Sequence, residues 1–125
     1  MNGLLINLEA RTVSNNYFRE VLYTDEYLQL VIMSLKPMEE IGMEIHEVDQ
    51  FIKIEVGEAN VIIDDKEHAV KEGYGIIIPA GVQHNVINVS QGSLKLYSVY
   101  CPPEHQPGTT HETKEEADAE ESLEK

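Results

Sequence analysis

Residues 73–88 read Gly73-Tyr74-Gly75-Ile76-Ile77-Ile78-Pro79-Ala80-Gly81-Val82-Gln83-His84-Asn85-Val86-Ile87-Asn88. Ile76 to Ile78 is an apolar strand signal, and it stops at a proline, which has no amide hydrogen to give to a sheet ladder. Pro79-Ala80-Gly81 is a turn, because proline pre-sets φ and glycine accepts backbone conformations that other residues avoid. A second strand begins near Gln83. The turn therefore delivers His84 just inside that strand, with Val86 and Asn88 in phase behind it.

Upstream, residues 42–57 read Gly-Met-Glu-Ile-His-Glu-Val-Asp-Gln-Phe-Ile-Lys-Ile-Glu-Val-Gly. Glu44 and His46 are two apart, so on a strand they project from one face. Gln50 follows in phase if the intervening chain is regular, and the same phase continues through Ile52, Ile54 and Val56. A carboxylate, an imidazole and an amide then stand at one end of an apolar face. Burying them is costly unless each has a partner, and a metal ion is one partner that serves all three. Asp49 rivals Gln50 if the register slips by one residue.

The rest of the chain carries the same punctuation. Strand signals fall at Tyr17 to Tyr23, Leu28 to Leu35, Ile41 to His46, Gln50 to Val56, Ala59 to Ile63, Glu67 to Val70, Tyr74 to Ile78, Gln83 to Val89 and Leu94 to Tyr100. Turns built on Asp, Gly, Pro and Ser separate them. About nine or ten short strands with no convincing helix in the body argue for an all-β antiparallel sandwich or barrel. The Pro102-Pro103 pair excludes a helix after the last strand, and acidic residues dominate from Glu112 to Lys125. The reading is one domain over residues 1–103 and a Pro-containing, then acidic, solvated and mobile tail over 104–125.

Composition narrows the function. The chain has 125 residues, 42% of them hydrophobic, and a formal net charge of -14. That is enough for one packed core, and so acidic a chain has no basic patch to release counterions from nucleic acid or an anionic membrane. The single cysteine, Cys101, rules out an internal disulfide framework and fits a reducing compartment. With no leader-like or membrane-length apolar run, the expected location is cytoplasmic.

Gly73, Pro79, Gly81, His84 and Asn88 fill every named place of the second motif of the cupin superfamily, which this chain resembles. The first cupin motif usually has a Gly, a His-x-His pair, an acid, then six residues and a Gly. Counting back from Gly57 sets Gln50 in the acid's place and His46 and Glu44 in the two His places, so this motif is altered at two positions. The resemblance covers roughly Glu20 to Pro103. Within cupins, Asp49-Gln50-Phe51 and the run from Leu96 to His105 look like small proteins labelled mannose-6-phosphate isomerase-like.

The resemblance implies a cupin-type jelly-roll β-barrel with a metal site made of Glu44, His46, Gln50 and His84. It implies one divalent transition metal per chain (Fe, Mn, Ni, Co or Zn), since two imidazoles and a carboxylate suit that group. It also implies an N-terminal strand over Met1 to Ala10 that pairs with a neighbouring subunit, hence a homodimer. Three functions follow: a metal-dependent enzyme, of isomerase or dioxygenase type, on a small oxygenated or sugar-like metabolite; a metal-containing module that binds a small molecule without turnover; or a metal-free structural cupin.

Other residues are ranked lower. His105 could fold over the barrel mouth as acid, base or extra ligand, although an exposed loop histidine is the ordinary case. Tyr97 and Tyr100 lie on opposite strand faces, so at most one points inward. Asn88 reads as a turn-holding residue, Cys101 as a small buried hydrophobe, and Lys53 and Glu55 as solvent or interface residues. His68 and His111 receive no role.

Overall fold

The computed structural model describes residues 3–124. In chain order the elements are α1 (Leu8–Ser14), β1 (Arg19–Thr24), β2 (Gln29–Leu35), β3 (Asp49–Val56), β4 (Glu58–Ile63), β5 (Lys66–Lys71), β6 (Gly75–Ile78), β7 (His84–Asn88), β8 (Leu94–Cys101), β9 (Thr110–His111) and α2 (Lys114–Glu124). A six-stranded sheet has the order β6-β3-β8-β2-β1-β9, and a three-stranded sheet has the order β5-β4-β7. All pairings are antiparallel.

Alternation in the sequence decides which face is inside. In β3, Gln50, Ile52 and Ile54 are buried while Phe51 and Lys53 are only partly so. In β8, Leu94, Leu96, Ser98 and Tyr100 point inward. Ile52, Ile54, Leu94, Leu96 and Tyr100 meet Val31 and Met33 of β2 and, from the smaller sheet, Ala59, Val61, Val70 and Val86, forming one apolar cluster. The expected all-β jelly roll is the fold observed. The phase lapses at Val56, where the β3–β8 register shifts.

Several sequence expectations change. The N-terminal segment is not a strand: Leu4, Leu5 and Ile6 are exposed, and Leu8–Ser14 is helical. The Asn7 side chain caps this helix by accepting from the Ala10 amide at 3.1 Å, a signal that the apolar run before it masks. Met1 and Asn2 of the expected strand lie outside the described residues. The acidic segment after Pro103 returns to the barrel, because His111 pairs with Arg19 in β1 and Ala117 of α2 joins the core cluster. Cys101 is exposed, since Tyr100 takes the inward position beside it.

The expected strand over residues 41–46 is reduced to isolated bridges, Glu40 with Ile87 and Glu44 with His84. They lay this segment along the free edge of β7. Lys53 and Glu55 pair with each other on the outer sheet face.

Gly57, in the β3–β4 turn, has φ +99°, and an added Cβ would lie 3.0 Å from Ser90 Oγ and 3.1 Å from the Ser93 carbonyl oxygen. Gly57→Ala is expected to destabilise the fold by about 1–3 kcal/mol or more in urea denaturation. Gly81→Ala, also at positive φ (+85°) but with nothing within 4 Å of the new Cβ, is expected to cost less. Equal midpoints for wild type and Gly57→Ala would contradict the close packing of this turn.

Candidate metal centre

The site begins with a backbone contact. The Glu44 amide donates to the His84 carbonyl at 2.8 Å, and the His84 amide donates to the Glu44 carbonyl at 2.9 Å. This reciprocal pair sets the two motifs side by side, so that Glu44 and His84 are cross-strand neighbours. His46 joins them from two residues on, and its carbonyl accepts from the Gly81 amide at 2.8 Å, tying it to the Pro79-Ala80-Gly81 turn. One ligand atom from each of Glu44, His46 and His84 lies within 4.8 Å of the others.

Each side chain is prepared differently. His84 Nδ1 donates to the Val82 carbonyl oxygen at 2.9 Å, which fixes the proton there and leaves Nε2 as the lone-pair nitrogen. That Nε2 is buried without a hydrogen-bond partner. His46 Nε2 lies 3.4 Å from Glu44 Oε2, and its ring packs edge-on against His84 with centroids 5.0 Å apart. Burial raises the Glu44 carboxyl, but the hydrogen bond and charge of His46, with Arg19 and His84 beyond, outweigh it and hold the group below its ordinary range. Burial opposes the charge on His46 in turn, yet Glu44 beside it raises the imidazole overall.

Gln50 reaches the same place from β3. Its Nε2 donates to Ser98 Oγ at 3.2 Å and to Tyr100 Oη at 3.1 Å, leaving Oε1 buried and unpartnered. The register does not slip: Gln50 pairs with Ile78 and Tyr100, and exposed Asp49 instead accepts from the Ala80 amide at 2.9 Å. Two orphaned buried acceptors, His84 Nε2 and Gln50 Oε1, beside a carboxylate and a second imidazole form a donor set that fits a divalent transition metal.

Above this group is a cavity of about 250 Å³ whose wall includes Arg19, Glu44, Glu104, His105, His111 and Glu120. His105 is over the mouth, not in an exposed loop. Fully buried Gln29 accepts from the Glu104 and His105 amides at 3.2 and 2.9 Å and donates to the His105 carbonyl at 2.7 Å. The His105 ring meets Tyr100 edge-on at 5.2 Å, so Tyr100 is the inward tyrosine of β8.

Asn88 holds a turn as expected. Its Nδ2 donates to the Leu35 and Gly92 carbonyls at 3.0 and 2.9 Å, and its Oδ1 accepts from the Ser90 amide at 2.9 Å.

Two residues of the cavity wall escaped the sequence reading. Arg19 shares the inward phase of buried Val21 on β1, a signal that alternation carries. His111 is buried by the return of the acidic segment, which composition hides.

Among the described residues, no helix is long and apolar enough to cross a membrane. The sequence model of the cupin domain family matches residues 31–100. A Bacillus halodurans protein of known crystal structure is similar at 42% identity, with 93% of each chain covered and a TM-score of 0.91. The uncharacterized protein YrkC of Bacillus subtilis is 45% identical over 120 residues, covering 90% of this chain, which spans only 64% of YrkC's length. An uncharacterized mimivirus protein from Acanthamoeba polyphaga mimivirus is 45% identical over 109 residues, covering 83% of this chain and 68% of its own length. With both motifs brought together at one end of a jelly roll and a family match over most of the barrel, this chain belongs to the cupin domain family.

Proposed function

We propose that this cupin binds one divalent transition metal through Glu44, His46 and His84, with Gln50 adding a neutral oxygen, and acts on a small oxygenated metabolite in the cavity above. The observation that carries the reading is the convergence of three ligand atoms within 4.8 Å at a place where His84 Nε2 is buried without a partner. Two imidazoles and a carboxylate serve an isomerase and a dioxygenase equally. Exposed Leu4, Leu5 and Ile6 support a homodimer in which this apolar segment is covered.

When bound, the metal supplies Lewis acidity to a chelated oxygen. The chain's own groups then orient and protonate. The Tyr100 phenol accepts from Gln50, which frees its own hydrogen to donate, and burial raises its pKa, so it stays protonated. Burial, followed by the charge of Arg19, pushes His105 down to about 3, so its ring is neutral and its unpartnered Nε2 is available to a substrate hydroxyl. A ligand held this way without turnover would give the same contacts, so a binding module is the second reading; product formation separates the two.

Elemental analysis of protein purified without chelators tests the site. We expect about one transition metal per chain in the wild type, and loss of most of it in His46→Ala and His84→Ala. Gln50→Glu is expected to keep the metal and hold it more tightly. A metal-free wild type that shows no thermal shift with Mn, Fe, Ni or Zn would sink the proposal and leave the structural cupin.

The neutral state of His105 predicts an acid sensitivity in the metal-free chain. The unfolded histidine titrates near 6.5 and the folded one near 3, with Arg19, Glu44, His46 and His111 around it. Between those values the unfolded chain binds the extra proton, so stability falls as pH drops through that window. His105→Gln should make the fall shallower by up to about 1.4 kcal/mol per pH unit in urea titrations. An unchanged slope would contradict a buried neutral ring.

A further inference from the structure

Arg19 is the cavity residue that the metal reading leaves unused. It stands at the start of β1, only 8% exposed. A guanidinium does not shed its charge, so its burial needs partners. Its Nη1 is 3.4 Å from His111 Nδ1, and its Cζ lies 5.2 Å from the centre of the Phe18 ring. Because a guanidinium can only donate, His111 Nδ1 accepts and Nε2 carries the proton that goes to Glu120. Among the described residues no carboxylate forms an ion pair with Arg19, and its Nε is buried without a partner. Two acids of the same wall are already engaged, Glu120 by His111 and Asp118 by Lys114.

Arg19 and Glu44 line one cavity of about 250 Å³, below the roughly 300–1,000 Å³ of pockets for drug-sized ligands. The cavity wall thus holds a guanidinium whose Nε has no partner and, from the metal-ligand group, the Glu44 carboxylate. We propose that Arg19 anchors the carboxylate of a small hydroxy or oxo acid whose remaining oxygens turn toward Glu44, His46 and His84. A planar fork matches a carboxylate in a way that a lysine ammonium does not. The proposal deepens the reading above and rests on it for the far end of the ligand, whereas the Arg19 contact stands by itself.

Calorimetric titration of the full chain loaded with manganese, using glycolate and its uncharged analogue glycolamide, tests the anchor. Wild type should bind glycolate about tenfold or more tightly than glycolamide. Arg19→Met should lose about tenfold for glycolate while keeping its glycolamide affinity and its manganese content. Arg19→Lys, which keeps the charge without the fork, should fall between and decides the matter if Arg19→Met does not fold. Equal glycolate affinity in wild type and either folded variant would overturn the proposal. So would the absence of a glycolate preference in the wild type, or of glycolate binding at about 10 mM. If the chain takes up no manganese, iron, nickel or zinc, the metal reading fails and the same ligands are titrated into the metal-free chain. A glycolate preference lost in the variants still upholds the anchor there, and its absence overturns it.

Discussion

The reciprocal amide–carbonyl pair between Glu44 and His84 is the contact on which the candidate site depends. Other backbone contacts, the Gly81 amide on the His46 carbonyl and the pairing of β3 with β6, hold the two motifs together as well, but this pair is the one that joins two ligand residues directly. With it, a carboxylate and an imidazole become cross-strand neighbours. His46 is then held by its own carbonyl on Gly81, and Gln50 by its register with Ile78 and Tyr100. Backbone geometry does the positioning, so the side chains need not hold themselves together. The unmet hydrogen-bonding capacity of His84 and Gln50 is a consequence: strands set by their apolar partners have carried polar atoms into a place without water-like neighbours.

The segment after Pro103 shapes what can reach that place. Fully buried Gln29 spends both ends of its amide on the backbone of Glu104 and His105, which turns the chain over the mouth. The return then adds β9 to the edge of β1 and seats Ala117 of α2 in the core. The same return brings His111 against Arg19. The cavity therefore has one wall from the barrel and one from an acidic segment that supplies both a histidine and a buried alanine. The electrostatics divide accordingly: Glu44 and His46 charge one another at the floor, while burial keeps His105 neutral at the rim.

How far the sequence could be read follows from how local each signal is. Strand alternation is local, so the inward phase of Gln50, Ile52 and Ile54 was legible, and so was the opposition of Tyr97 and Tyr100, although the structure was needed to show that Tyr100 is the inward one. The Pro79-Ala80-Gly81 turn is local as well, and it located His84 at a strand start. The return of the acidic segment was not legible, because Ala117 is one small apolar residue among charges and its burial depends on distant β-strands. The helix Leu8–Ser14 was hidden for another reason: an isolated helix of this length has little stability of its own, and this one packs on β8 and β3. Arg19 could have been found from its phase with Val21, but its unpartnered Nε needed the structure.

The most direct test of the account is anomalous diffraction from crystals of this protein soaked with manganese. The account predicts one strong peak per chain within coordination distance of His46, His84 and the Glu44 carboxylate. A peak confined to the acidic residues of α2, or none with both histidines well ordered, would contradict it.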